Sequence, residues 1–132
     1  MTTKRYIESV GRRKTAIARV RISEAAKRDV TVNDKELAVY FPTKELQAIV
    51  LSPLEAGELV HTYSVSVKVL GGGIHAQAEA VRHGLSRSLV KAEGTIKDAL
   101  KKLDLLKRDP RAVERKKFGL KKARKAPTWS KR

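Results

Sequence analysis

The sequence predicts an α+β fold in two layers, a mostly antiparallel sheet with helices packed on one face, plus an extended basic C-terminal tail. Three observations predict it. The first half alternates apolar and polar residues with period two. A later amphipathic stretch repeats at helical spacing, and apolar periodicity stops after Leu106. At 132 residues the chain can bury one modest core. The expected division is a globular domain over residues 1–106 and a tail over 107–132.

Residues 6–10, before Gly11, read as a strand paired back against residues 16–22. In that second strand Ala16, Ala18, Val20 and Ile22 share one face, and Ile17, Arg19 and Arg21 the other. One side is therefore buried and the other basic. Val30, Thr31 and Val32 followed by Asn33 and Asp34 predict a short strand and turn. Thr43 suits the N-cap of a helix carrying Leu46, Ile49 and Val50 inward. Ser52, Pro53, Leu54 and Glu55 have the form of a capping box with proline at the first helical position. They predict a second short helix restarting there.

Another strand follows, with Tyr63, Val65, Val67 and Val69 inward and Ser64, Ser66 and Lys68 outward. The long helix is predicted over residues 74–92. Ile74, Ala78, Val81, Leu85, Leu89 and Ala92 form its apolar stripe, with Arg82, Arg87 and Lys91 off it. A last helix begins near Thr95, with Ile96, Ala99, Leu100 and Leu103 inward. Helices on one sheet face leave Arg19, Arg21 and Lys68 on the other, open to a partner. Beyond Leu106 too few apolar side chains remain to offset ordering entropy. The tail is expected to be disordered alone, reaching about 80 Å if extended.

Charge narrows the function. Lys and Arg number 30 against 14 Asp and Glu, a net +16. Residues 107–132 hold twelve cations and two acids; residues 1–23 hold seven cations and one acid; residues 24–106 sum to zero. Charge gathered at both ends repels itself and implies a polyanion, nucleic acid first. The absence of cysteine excludes a disulfide framework and a thiolate metal site. No apolar run approaches the roughly 20 residues that span a bilayer. The N-terminus has no secretory-type apolar stretch, so a soluble intracellular protein is expected. His61, His75 and His83 lack metal-ligand spacing, and no nucleophile–base constellation stands out. No catalytic residue, cofactor or metal is expected.

Three constellations have two readings each. Arg12, Arg13 and Lys14 are expected together in a turn, able to grip phosphate oxygens, or else form a solvated hairpin tip. Gly71, Gly72 and Gly73 lie between strand and helix, where backbone N–H groups can hold a phosphate. No Gly-Lys-Ser/Thr follows, and a tight turn that lets the helix pack close to the sheet is the favoured reading. Arg82, His83 and Arg87 form a polar helix face. Gly84 beside them costs about 1 kcal/mol relative to alanine, explicable by close approach of a partner. The alternative is a solvated face. Trp129 in the tail is either incidental or able to stack on a base.

Three blocks carry a family resemblance: VGRRKTAIARVRI (residues 10–22), GGGIHAQAEAVRHGLSRSL (71–89) and DPRAVERKKFGLKKARKAPTWSKR (109–132). The chain resembles the bacterial small-subunit ribosomal protein nine family over essentially its whole length. Ala76 and Glu79 stand where that family more usually has glycine, and Trp129 where phenylalanine is commoner. The resemblance implies a domain related to the second domain of ribosomal protein five and to part of small-molecule kinases. It implies a structural, non-enzymatic protein of the cytoplasmic ribosome, binding ribosomal RNA in the head of the small subunit beside neighbouring head proteins. Arg5, Arg12, Arg13, Lys14, Arg19, Arg21, Arg82, His83 and Arg87 would face that RNA from the domain. Arg111, Arg115, Lys116, Lys117, Lys121, Lys122, Arg124 and Lys125 would line the tail's path through it. Ser130, Lys131 and Arg132 would touch the anticodon stem-loop of peptidyl-site transfer RNA. No membrane and no small-molecule substrate is implied.

Other classes stay open on sequence alone. A sequence-tolerant RNA or DNA chaperone shares the charge pattern. A phosphate-transferring enzyme around residues 71–73 predicts saturable nucleotide binding. A membrane-surface protein would need an amphipathic face that the tail lacks.

Overall fold

A computed structural model describes residues 5–56 and 58–129. Five strands form one sheet in the order β1-β2-β5-β3-β4. They are β1 (Ile7–Arg13), β2 (Ala16–Glu24), β3 (Asp29–Val32), β4 (Lys35–Glu36) and β5 (Tyr63–Leu70). Every pairing is antiparallel except β3 with β5, which is parallel. The helices are α1 (Leu37–Tyr40), α2 (Lys44–Glu55), α3 (Ile74–Ala92) and α4 (Lys97–Lys102), with a 3-10 turn at Gly94–Ile96. The α+β, helices-on-one-face reading holds.

The register explains the two faces. Val20 sits opposite Ser9 on one side and Val67 on the other, so Ala16, Ala18, Val20, Ile22, Val65, Val67 and Val69 share the buried face. Helix α3 packs on β1 and β2, and α2 packs against α3. A one-residue slip would carry the whole valine set to solvent and Arg19, Arg21 and Lys68 into the core. Burial of each large apolar side chain here stabilises by about 1.5–3 kcal/mol.

Local chemistry sets the element ends. The Thr43 side chain accepts the Leu46 N–H at 3.4 Å, capping α2 as expected, a contribution of about 1 kcal/mol. The predicted restart at Ser52 does not occur: α2 runs through Pro53 to Glu55. Proline has no N–H for the carbonyl four residues back, that of Ile49, and the Ser52 hydroxyl donates to that oxygen at 2.7 Å instead. A capping box is thereby put to a different use. Asn33 and Asp34 turn through the left-handed region as the strand-and-turn reading requires. The Asn33 amide then replaces a missing sheet rung, donating to the Val69 carbonyl at 3.1 Å and accepting its N–H at 3.0 Å.

The long helix has the predicted bounds but a wider buried face. Ala76, Ala80, Gly84, Ser86 and Ser88 are buried beside Ala78, Val81, Leu85 and Leu89, because sheet and α2 cover two sides. Ile74, expected in the stripe, is 47% exposed at the helix start. Leu103 is exposed and Leu105 takes its place in the core, since α4 ends at Lys102 and the chain turns through Asp104 with φ 57°. At the end of α3, buried Glu93 accepts from the Val60 N–H at 2.8 Å and the Tyr63 hydroxyl at 3.0 Å. Burial, reinforced by Glu93, pushes Tyr63 up to about 12. Beyond Lys102 the described residues contain no helix or strand, and apart from the partly covered Asp109, Leu120 and Ala123, residues 107–129 are exposed.

Candidate nucleic-acid interface

The β1–β2 hairpin turns on Lys14 and Thr15 alone, with Lys14 at φ 53°. Arg12 and Arg13 belong to β1, so the three cations do not project together from a turn. Strand alternation sends Arg12 outward and Arg13 inward, where it is 9% exposed. Arg13 Nε donates to Glu79 at 2.7 Å. The expectation of three cations gripping one anion is corrected on this geometry: Arg12 and Lys14 are exposed and Arg13 is engaged inside.

Glycines 11 and 84 explain how close α3 lies to β1. A Cβ on Gly11 would stand 1.9 Å from the Ala80 carbonyl oxygen and 2.2 Å from the Gly84 nitrogen. A Cβ on Gly84 would meet Val20 at 2.8 Å and the Gly11 nitrogen at 2.9 Å. Gly84 is thus buried against the chain's own strand and does not await a partner. Gly71 and Gly72 turn at φ 77° and 65° against Thr15 and Ala16, which supports their tight-turn reading.

This close approach lets α3 side chains cover the outer backbone edge of β1. Arg87 donates to the Val10 carbonyl at 2.6 Å and Lys91 to the Glu8 carbonyl at 3.1 Å. The Arg12 N–H donates to His83 Nδ1 at 3.4 Å. The edge is sealed by cations whose charge still faces outward. Val10, Arg12, His83, Arg87 and Arg108 line one cleft there. Next to it Arg82, Asp104, Lys107, Arg108, Asp109, Pro110 and Arg111 line another. Arg12, Arg87 and Arg108 share the cleft of His83, and Arg82, Lys107 and Arg111 join Arg108 in the neighbouring one. Burial first, then the Arg87 charge, lowers the His83 pKa, with Arg108 and Arg82 acting the same way and a Leu106 backbone hydrogen bond opposing them. The lowered pKa favours the neutral imidazole, which accepts from β1 while the guanidiniums supply the charge.

The outer sheet face is less bare than the sequence suggests. Glu8 lies directly across from Arg21 and accepts from it at 3.2 Å and from Arg19 at 3.1 Å. Arg21 also stacks over the Tyr6 ring at 4.7 Å. Lys68 donates to Asp34 at 2.9 Å. Arg5 is exposed at the opposite end of the sheet from Arg12, beside a cavity lined by Tyr6, Ile22 and Tyr63. The domain cations thus form no single patch: Arg12, Arg82, His83 and Arg87 come together, while Arg5, Arg19 and Arg21 stand apart.

In the tail Arg115, Lys116, Lys121, Lys122 and Lys125 are exposed. Glu114 accepts from Lys117 at 2.6 Å and Arg124 at 2.9 Å, and the Lys121 N–H closes on the Lys125 carbonyl at 2.8 Å. Phe118 is fully exposed and Trp129 81% exposed, two aromatic faces among cations. Base–aromatic stacking of that kind contributes about 1–3 kcal/mol per base. Ser130, Lys131 and Arg132 lie outside the described residues.

Among known families, the one described as Ribosomal protein S9/S16 matches residues 11–132. The chain belongs to the ribosomal protein S9/S16 family. As a family member it is a structural protein of the small ribosomal subunit that binds ribosomal RNA in translation. The match covers both clefts except Val10, the whole described tail and β1 from Gly11 onward. Among the described residues no helix is long and apolar enough to cross a membrane, and no His, Asp and Glu group could hold a metal ion. By sequence, Lys107 and Arg108 belong to the tail over residues 107–132. The fold brings both back over α3, beside Arg82 and Arg87. Sequence spacing carries no signal for that return, because Arg108 and Arg12 meet across 96 residues.

Proposed function

We propose that the chain works as two parts, a domain over residues 1–106 that docks on head ribosomal RNA and a tail over 107–132 that reaches peptidyl-site transfer RNA. One observation carries the reading: residues 107–129 place ten cations and two acids on an exposed segment without helix or strand. Such a segment orders on RNA, and phosphate contacts with counterion release offset the ordering entropy. The domain anchor is the double cleft of Arg12, Arg82, His83 and Arg87, completed by Lys107 and Arg108 at the root of the tail. Arg111, Arg115, Lys116, Lys117, Lys121, Lys122, Arg124 and Lys125 follow the RNA backbone. Ser130, Lys131 and Arg132 end on the anticodon stem-loop.

Head proteins of the small subunit are the neighbours in this reading, and the cytoplasmic ribosome is its place. No small-molecule substrate, cofactor or catalysis enters it. Sedimentation through a high-salt sucrose gradient tests the assembly, and stoichiometric migration with the small subunit is the expected result. A position at the top of the gradient would support a sequence-tolerant RNA chaperone instead. Deleting Lys131 and Arg132 tests the terminal contact: peptidyl-site transfer RNA affinity should drop while the subunit still assembles. Unchanged affinity would remove that role.

A further inference from the structure

One guanidinium lines neither cleft. Arg13 has a side chain only 11% exposed, and its donors reach three groups on two segments. Its Nε donates to Glu79 of α3 at 2.7 Å. One terminal nitrogen donates to the Arg111 carbonyl, and the other stands 3.4 Å from the Asp109 carboxylate. Arg111 closes the loop from the far side, donating to Asp109 through its own guanidinium at 2.8–3.1 Å and through its backbone N–H at 3.0 Å. Asp109 and Arg111 thus close on each other across Pro110 through the Asp109 carboxylate, and one planar fork ties them to β1 and α3.

We propose that Arg13 is the positioning residue of the tail: it seats residues 109–111 on β1 and α3, so that the chain beyond leaves the domain in one direction before any RNA is bound. Three features support this. The fork holds a plane, which a lysine ammonium on a flexible stem cannot do. The four charged groups, Arg13, Glu79, Asp109 and Arg111, sum to zero, so their own ion pairs hold the cluster without an added phosphate. Glu79 is 19% and Asp109 27% exposed, so water competes only partly for Arg13. Twenty-one residues follow Arg111, and fixing their root limits the volume they search. The purpose rests on the proposed RNA-reaching role of the tail, but the geometry can be tested without RNA.

The chain has no cysteine, so two can be introduced for spin labels at exposed Thr95 and Val113. Pulsed electron-spin distances in the protein alone should give one narrow distribution. Arg13→Ala and Asp109→Ala should each widen it at least twofold, and the double variant should be no wider than either. Arg13→Lys keeps the charge without the fork and should widen it as Arg13→Ala does. Far-ultraviolet circular dichroism and Tm follow the domain separately. A lowered Tm with unchanged width would mean that Arg13 is merely structural and would overturn the proposal. So would a broad distribution in the parent protein, or additive widening in the double variant. If Arg13→Ala fails to fold, Asp109→Ala decides, since that carboxylate lies outside the hydrophobic core. Failure of the parent protein to bind ribosomal RNA, with these distances as expected, would refute the tail's RNA role and leave the positioning standing.

Discussion

Residues 1–23 and 107–132 carry most of the positive charge, and the fold treats the two ends differently. In the first, strand pairing brings acids to cations: Glu8 meets Arg19 and Arg21 across the ladder, and Glu79 and Asp109 hold Arg13. In the second there is no ladder. Glu114 holds Lys117 and Arg124 and Asp109 holds Arg111, while Arg115, Lys116, Lys121, Lys122 and Lys125 make no ion pair among the described residues. Equal-looking basic runs are therefore unequal ligands for a polyanion. A cation already paired gives up that pair, or shares it, when a phosphate arrives.

The largest expected difference lies in the tail. Replacing Lys121, Lys122, Arg124 and Lys125 by alanine should weaken ribosomal RNA binding by orders of magnitude. It should also lower the slope of log affinity against log salt by about 3, at roughly 0.7–0.9 per phosphate contact. Filter binding at several salt concentrations reads both, and Tm should not move. A slope change below one would mean that the tail is not the main phosphate reader.

Next comes the close seam that builds the clefts. Gly11→Ala forces a Cβ into the Ala80 carbonyl and should destabilise by about 3 kcal/mol or more, beyond ordinary overpacking. Chemical denaturation measures it. A loss below 1 kcal/mol would show that α3 can lift away from β1, and the sealed edge would then not be rigid.

A smaller effect is expected on the outer sheet face. Arg19→Ala with Arg21→Ala should lower the salt slope by less than one, and Glu8→Gln should raise RNA affinity a few-fold by releasing both arginines. The ion pairs themselves are exposed and contribute less than about 1 kcal/mol to folding. Loss of two full units of slope in the arginine pair would place this face directly on the RNA.

The smallest effect is protonic. His83 is held below its usual 6.5 by burial and by Arg87. The unfolded chain therefore takes up this proton first as pH falls. The stability contributed by neutral His83 is complete above about 6.5 and declines as pH drops from there through the folded value. Phosphates in the cleft would offset Arg87, Arg108 and Arg82, so RNA should raise the His83 pKa. Titration of its imidazole by NMR, free and bound, checks the direction. No upward shift would remove RNA from the cleft.

Much of the fold was legible because its signals are local. Period two placed Ala16, Ala18, Val20 and Ile22 against the valines of residues 63–69, and helical spacing found Ile74–Ala92 to the residue. Thr43 announced its cap. The errors came where one signal admits two uses. Ser52 and Pro53 look like a helix start but repair a helix interior, and Gly84 looks like a vacancy for a partner but is filled by Gly11. The candidate site was half legible: Arg12, Arg82, His83 and Arg87 were named, and Lys107 and Arg108 were assigned to the tail alone.

By itself the sequence determined the strand faces, the long helix, the neutral middle and the basic ends, because alternation, helical spacing and charge count need no partner. It also carried the family in its three motif blocks. Only the tertiary structure decided which cations remain open to RNA. That depends on which acid stands within 3–4 Å of each guanidinium, and those neighbours are 66 residues apart for Arg13 and Glu79 and 96 for Arg13 and Asp109. Coulomb attraction at such distances follows from folding, and no local pattern in the chain encodes it.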